Sequence, residues 1–220
     1  DPYQTYHSPA ILQGEHFKQR WHDAVTLATV RDPFMLLASE FSFFSEACAA
    51  LIRFDARAQD LKDCRFLIQH LALAEEDNHT TASHKFEGFL RHFYSNESRY
   101  DPRFPHRRNR GQISWLTDER GQMLIDHAIR LEDIDTLTCS WLQNRVCGGG
   151  AGLSCSEADR DSSVHENPSP PRHLSYWCYY TARTCEMVSA RFRPDFLAFN
   201  YSMESCEHEV RRLGRAGCER

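Results

Sequence analysis

Two short runs of apolar and β-branched residues, each leading into a helical pattern, organise the sequence. The first run, residues 25–30 (VTLATV), is nearly continuous and typical of a strand buried on both faces in a parallel sheet. The second run is residues 123–131 (MLIDHAIRL). Because strands of this kind alternate with long helical segments, the pattern predicts an α/β domain of three layers, with a central parallel sheet flanked by helices.

Helical periodicity begins directly after the first strand. Asp32 is a good helix N-cap, and the proline that follows it suits the first helical position, where its missing N–H costs nothing. Apolar residues then recur at helical spacing to about residue 53, and a similar pattern runs through residues 61–94. Towards the C-terminus, Thr181 is placed to cap a helix over residues 182–192, which the next Arg-Pro pair ends.

Two segments have the composition of loops. Residues 95–112 (SNESRYDPRFPHRRNRGQ) combine turn-forming residues with a cluster of arginines. Residues 148–172 are rich in Gly, Ser, Pro and Asp and have no periodicity, which predicts a flexible loop or an insertion. We expect one domain over residues 1–220, with this loop inside it.

Composition narrows the class of protein. The chain has 220 residues, of which 41% are hydrophobic and 26% are charged, and this balance suits one globular domain. Its net charge of −5 argues against a polycation built to coat nucleic acid. No apolar run approaches the roughly 20 residues of a membrane-spanning helix. The first residue is Asp, so we expect a piece of a longer chain, with any membrane anchor outside it.

The nine cysteines are numerous for a domain of this size. None of them forms a C-x-x-C pair, and their spacing is too irregular for a zinc ribbon or finger. Disulfides formed in an oxidising compartment and plain buried thiols both remain open. An odd count leaves at least one cysteine without a partner within the chain.

The junction between the first strand and its helix has two interpretations. In the first, Arg31 pairs with a neighbouring acid and Asp32-Pro33 only begins the helix, so the segment has no binding role. It is an anion site if Arg31, at the carboxyl end of a parallel strand, acts beside the positive helix N-terminus. A guanidinium donates two parallel charged hydrogen bonds to a phosphate, and Ser39 lies about two turns into the same helix.

Three segments in the same order resemble the carbohydrate sulfotransferases that use 3′-phosphoadenosine 5′-phosphosulfate (PAPS), the group with the heparan sulfate 2-O- and chondroitin-type enzymes. The first is TVRDPFMLLASEF, similar to their strand–RDP–helix segment, and the second is AIRLEDIDTL (128–137), similar to a strand with an acidic turn in mid-domain. The third is residues 179–202, with the ending D-F-x-x-F-x-Y that begins at Asp195. The resemblance implies a P-loop-NTPase-like sulfotransferase fold with a central parallel sheet.

The resemblance also implies roles for particular residues. Arg31 and Ser39 match the positions that bind the 3′-phosphate of PAPS, and His7, 24 residues before Arg31, matches a histidine that acts as general base. His16 and His22 are rivals for that role. The family's lysine-containing loop for the 5′-phosphosulfate has no counterpart in these 220 residues, so we expect it upstream. Sulfuryl transfer of this type needs no metal, and PAPS enters as co-substrate.

Other residues carry weaker interpretations. The basic cluster of Arg107, Arg108 and Arg110 has three interpretations: it faces an acidic glycan, it helps to enclose the nucleotide, or it is only a solvated loop. Asn167 matches loosely a loop near nucleotide and acceptor, and Asn109 and Gln112 match loosely an Asn/Gln-containing stretch of the family. The aromatic residues of the segment YWCYY (176–180) either stack on adenine or sugar or, as the simpler interpretation, pack in the core.

Two functions from different classes therefore stand at this point. One is an O-sulfotransferase that acts on a carbohydrate hydroxyl, of an acidic polysaccharide or a glycoprotein glycan, in the Golgi lumen as part of a type II membrane protein. The other is a non-catalytic remnant of the same fold that binds a glycan or a nucleotide. Neither interpretation involves nucleic acid.

Overall fold

The computed structural model describes residues 26–54, 70, 78–94, 111–118, 120–134, 175–214 and 217–218. In chain order its elements are β1 (Leu27–Val30), α1 (Pro33–Phe54), α2 (His79–Tyr94), α3 (Ile113–Leu116), β2 (His127–Arg130), a 3₁₀ turn (Leu131–Asp133), a second 3₁₀ turn (Tyr176–Tyr179), α4 (Ala182–Arg191), α5 (Arg193–Ala198) and α6 (Ser205–Leu213). The chain divides into two compact units, each described by itself below. The first unit joins Asp1–Arg31 to Gln112–Ser169, and the second joins Asp32–Gly111 to Pro170–Arg220.

The first unit contains two parallel strands. β1 pairs with β2 in a register that sets Leu27 opposite His127 and Val30 opposite Arg130. Both strands lie inside the segments that the apolar runs predict, so their positions are confirmed. The expectation that β1 is buried on both faces is wrong, since Leu27 and Thr29 are exposed and only Val30 of this strand is buried. The larger three-layer, P-loop-like fold stays a prediction, because the described residues contain one two-stranded sheet.

A pair of side chains joins the amino-terminal ends of the two strands. Asp126 Oδ2 accepts hydrogen bonds from the backbone N–H and the hydroxyl of Thr26, both at 2.8 Å. The Asp126 N–H donates in return to Thr26 Oγ1 at 2.9 Å. The bonds from Thr26 lower the pKa of the Asp126 carboxyl, because they stabilise its charged form. This pairing extends the ladder by one residue and fixes the register of β2 on β1.

The core of the second unit is built from aromatic side chains. Phe41 of α1 lies 5.4 Å from Phe86 and 5.3 Å from Phe89 of α2, measured between ring centroids. All three side chains are buried, as expected for the apolar stripe of an amphipathic helix. Tyr179 and Tyr180 complete this cluster from the second 3₁₀ turn and the residue after it. Aromatic pairs of this kind contribute roughly 0.5–1.5 kcal/mol each beyond the burial of area.

The predicted helix near the C-terminus is confirmed with its cap. The Thr181 side chain accepts from the Thr184 N–H, and the Thr184 side chain accepts from the Thr181 N–H, so the two form a capping box. α4 ends at Arg191, as the Arg-Pro pair predicts, and the chain then forms the short helix α5, which the periodicity does not reveal. Among the helices of the described residues, none is both long and apolar enough to span a membrane.

Two nested disulfides fasten the end of the chain to this core. Cys185 of α4 is bonded to Cys206 of α6, and Cys178 is bonded to Cys218. The disulfide interpretation is therefore confirmed for four of the nine cysteines, and the other five are not assigned. The Cys185–Cys206 bond joins residues that are 21 positions apart in the sequence. For a loop of this length, the chain-entropy model predicts that the bond stabilises the fold by about 3 kcal/mol.

Candidate functional site

The carboxyl ends of β1 and β2 meet at one edge of the sheet in the first unit. Because Val30 is in register with Arg130, Arg31 follows β1 at the level where β2 passes into its 3₁₀ turn. In this turn Asp133 lies 3.1 Å from Arg130, measured from Oδ2 to Nε. Within the segment AIRLEDIDTL (128–137), the predicted strand and the acidic turn after it are present over residues 128–133. Parallel sheets bind ligands at such an edge, so it is the candidate site.

The backbone of Arg31 is held by one side chain. The Arg31 N–H donates to Gln112 Oε1 at 2.9 Å, and the Arg31 carbonyl accepts from Gln112 Nε2 at 2.7 Å. Both hydrogen-bonding groups of the Arg31 backbone are therefore satisfied by one amide from 81 residues along the chain. The sequence indicates Gln112 only through a loose match, since nothing in a single sequence shows which backbone group a glutamine bonds.

The N-terminus of α1 carries its own acid. The Asp32 carbonyl accepts the first helical bond from the Leu36 N–H at 2.8 Å, and Asp32 Oδ1 accepts from the Phe34 N–H at 2.8 Å. The N-cap prediction is therefore confirmed. It also limits the helix as an anion site, because the proline after Asp32 has no N–H and the Asp32 carboxylate already occupies the positive end. The expectation of available first-turn N–H groups is corrected at Phe34, whose N–H is in use.

Ser39 lies on α1, next to the buried side chains of Leu37 and Ala38, and is itself half-buried. It belongs to the second unit, whereas Arg31 belongs to the first. Their cooperation as a clamp for a 3′-phosphate therefore stays a prediction. The remaining predicted site residues lie outside the described residues, and their roles also stay predictions: His7 as base, Asn167 as nucleotide contact, and Arg107, Arg108 and Arg110 as substrate contacts.

The aromatic residues after residue 175 belong to the core. Tyr179 and Tyr180 are at most 1% exposed, and Trp177 packs against the same cluster, so the interpretation as core packing is confirmed. The Tyr180 hydroxyl donates to the Phe34 carbonyl at 2.6 Å. Burial, with the nearby charges of Asp32 and Glu40, raises the pKa of Tyr180 well above its ordinary value, so this phenol remains protonated.

The acid of the D-F-x-x-F-x-Y ending is buried against a glycine. Asp195 is 1% exposed and begins the run that contains the buried Phe196. Gly111 has a φ of +72°, and a Cβ there would lie 2.6 Å from Asp195 Oδ1. Only glycine fits this combination of a left-handed backbone and a close carboxylate. The position of Gly111 after turn-forming residues is a sequence signal for the first property, but no local signal shows the second.

Within the described ranges, no group of three or more His, Cys, Asp or Glu side chains is placed to hold a metal ion. Comparison with known proteins finds no match: no family model, no curated protein and no solved structure is similar enough to the chain to indicate a family. The candidate site is therefore defined by its own geometry, which is an arginine with a fixed backbone at the carboxyl edge of two parallel strands.

Proposed function

We propose that the chain is part of an O-sulfotransferase that transfers the sulfuryl group of PAPS to a hydroxyl of a carbohydrate. The observation that carries the proposal is the position of Arg31. It follows the last residue of β1, beside the end of a parallel β2, and Gln112 fixes its backbone on both sides of the residue. An arginine in such a place supplies a planar fork of charged donors, which suits the dianionic 3′-phosphate of the nucleotide.

The order of the three similar segments supports the same proposal. The segments around Arg31 and Arg130 form the paired parallel strands, and the third segment forms the capped helix α4 followed by the buried Asp195. The two disulfides agree with a lumenal, oxidising compartment, and we propose the Golgi lumen.

The proposed reaction is a single in-line transfer. The oxygen of the acceptor hydroxyl forms a new bond to sulfur, while the bond between sulfur and the bridging oxygen of the 5′-phosphate breaks. His7 receives the hydroxyl proton, and an unperturbed imidazole pKa near 6.5 suits that task at neutral pH. Adenosine 3′,5′-bisphosphate leaves as the second product.

The test of the nucleotide assignment is Arg31→Ala in the intact protein. We expect the dissociation constant for adenosine 3′,5′-bisphosphate to rise at least tenfold, because about 1.4 kcal/mol of charged hydrogen bonding is lost. Titration calorimetry measures it. Arg91→Ala is the matched control, since Arg91 is an exposed arginine of α2 paired with Glu87 at 2.7 Å, and its loss should leave the affinity unchanged. Equal affinities in all three proteins would refute the assignment.

A transfer assay separates the enzyme from a binding remnant. His7→Ala is expected to abolish sulfuryl transfer from radiolabelled PAPS to a glycan acceptor while the affinity for the bisphosphate stays near that of the wild type. Full activity of this variant would remove His7 from the role of base. Binding of the bisphosphate by the wild type without any transfer, over a panel of glycan acceptors, would favour the non-catalytic remnant.

A further inference from the structure

The hydrogen bonds around Arg31 resemble those of a strand pair more than those of a loop. β1 ends at Val30, one residue before Arg31. At Arg31 the side-chain amide of Gln112 takes the place of a neighbouring strand, since it accepts from the Arg31 N–H at 2.9 Å and donates to the Arg31 carbonyl at 2.7 Å. A primary amide is the one neutral side-chain group that offers a carbonyl acceptor and an N–H donor together. Asparagine carries the same group on a side chain shorter by one methylene.

The residue that makes these two hydrogen bonds, which we call the Gln112 clamp, is not one of the buried residues of the described core. Gln112 is the residue before α3, and α3 contains no buried residue. Gln112 itself is half-buried. Its side chain makes two hydrogen bonds to the backbone of one residue, Arg31, at the edge of the sheet. The residue that it fixes is the one whose side chain the proposed function requires at this edge.

We propose that Gln112 is a positioning residue for Arg31: its amide holds the Arg31 backbone, so that the guanidinium starts from a fixed point at the carboxyl edge of β1. The inference rests on the proposed function, because it assigns Arg31 to the nucleotide. Fixing the backbone before the anion arrives lowers the conformational entropy lost on binding. Loss of the clamp is expected to weaken the binding of adenosine 3′,5′-bisphosphate about fivefold, less than the loss of Arg31 itself.

The first experiment measures the clamp without any ligand. Gln112→Leu in the intact protein removes both hydrogen bonds at nearly constant volume. Amide hydrogen exchange at residue 31 is expected to quicken at least tenfold, because its N–H loses its acceptor. Gln122→Leu is the matched control, since Gln122 lies in the same unit with an exposed side chain and its described bonds are made by its backbone. Unchanged exchange at residue 31 would overturn the inference.

The second experiment is a double-mutant cycle on the affinity for adenosine 3′,5′-bisphosphate, with Gln112→Leu and Arg31→Ala alone and together. If Gln112 acts through Arg31, the double variant binds as weakly as Arg31→Ala and no weaker. A further fivefold loss in the double variant would overturn the inference, because Gln112 would then act independently of Arg31. Gln112→Glu is the second variant, in which a carboxylate faces the Arg31 carbonyl without a proton to donate, and it is expected to bind at least as weakly as Gln112→Leu.

The two proposals fail in distinguishable ways. If exchange at residue 31 quickens in Gln112→Leu but neither this variant nor Arg31→Ala binds the bisphosphate more weakly, the proposed function is wrong at Arg31 and the positioning role falls with it. If Arg31→Ala binds at least tenfold more weakly and Gln112→Leu binds as the wild type does, the proposed function stands and the positioning inference is overturned. Circular dichroism of each variant excludes loss of the fold as the cause.

Discussion

The hydrogen bond of the Tyr180 hydroxyl allows a test of the second unit by removing a single oxygen atom. Tyr180 is fully buried, and its O–H donates to the Phe34 carbonyl in the first turn of α1 at 2.6 Å. Tyr180→Phe removes this bond and leaves the ring in place, between Phe34 at 5.5 Å and Phe86 at 4.8 Å. A net intramolecular hydrogen bond contributes about 1 kcal/mol, within a range of about 0.5–1.5. We therefore expect the free energy of unfolding at pH 7 to fall by about 1 kcal/mol.

The same substitution should change how stability depends on pH. Burial, then the charges of Asp32 and Glu40, raise the pKa of Tyr180 well above its ordinary value in the folded protein. In the unfolded chain this phenol ionises near pH 10, so above that pH the folded state holds one more proton than the unfolded state. Stability from Tyr180 is fully present below about pH 10 and is lost above it, at about 1.4 kcal/mol per pH unit, until the folded pKa is reached.

The two curves of stability against pH should therefore cross. At neutral pH the wild type has the larger free energy of unfolding, but it loses this difference as the pH rises above 10, because its unfolded state releases the Tyr180 proton and its folded state does not. The free energies of unfolding of wild type and Tyr180→Phe are expected to be equal between about pH 10 and 11. Urea unfolding at matched pH values, followed by circular dichroism, measures both curves. Thr181→Ala is the control, because loss of the capping box removes about 1 kcal/mol without removing an ionisable group. A gap between wild type and Tyr180→Phe that stays constant to pH 11 would refute the reasoning.

Two further predictions concern the glycine beside Asp195 and the disulfide between Cys185 and Cys206. Gly111→Ala is expected to lower the free energy of unfolding by at least about 1 kcal/mol more than Gly121→Ala does. Both glycines have a positive φ, but a Cβ at Gly111 would lie 2.6 Å from the Asp195 carboxylate, whereas a Cβ at Gly121 would have nothing within 4 Å. Equal shifts in the urea midpoint of the two variants would contradict the close contact. Replacing Cys185 and Cys206 together by alanine is expected to lower the free energy of unfolding by about 2–4 kcal/mol, and a variant as stable as the oxidised wild type would show that this disulfide does not stabilise the fold.

Features with a local cause could be predicted from the sequence. Asp32 and Thr181 were predictable as N-caps because a capping side chain bonds a backbone N–H only two or three residues away. The first strand was predictable as an apolar β-branched run, although the exposure of Leu27 and Thr29 was not, since exposure depends on what other segments cover. Helix α5 was missed because six residues give too little periodicity.

Contacts between distant residues could not be predicted in the same way. The Tyr180 hydroxyl and the Phe34 carbonyl are separated by 146 residues, and Gln112 and Arg31 by 81. A tyrosine or a glutamine has no sequence mark that shows its partner, because many donors and acceptors compete until the fold brings one pair together. Cysteine pairing has the same character, since the two nested bonds are only one of several connectivities that the spacing allows.

The Arg-Asp-Pro junction shows how the structure changes the interpretation of a short motif. From the sequence, Arg31 and the N-terminus of α1 are expected to bind one anion together. In the structure the Asp32 carboxylate bonds the Phe34 N–H, so the positive end of the helix is already compensated by the chain itself. An external phosphate would therefore gain little from the N-terminus of α1, because the carboxylate of Asp32 opposes its approach. The proposed nucleotide site therefore depends strongly on Arg31, and for this reason a backbone clamp on that one residue is expected to affect binding.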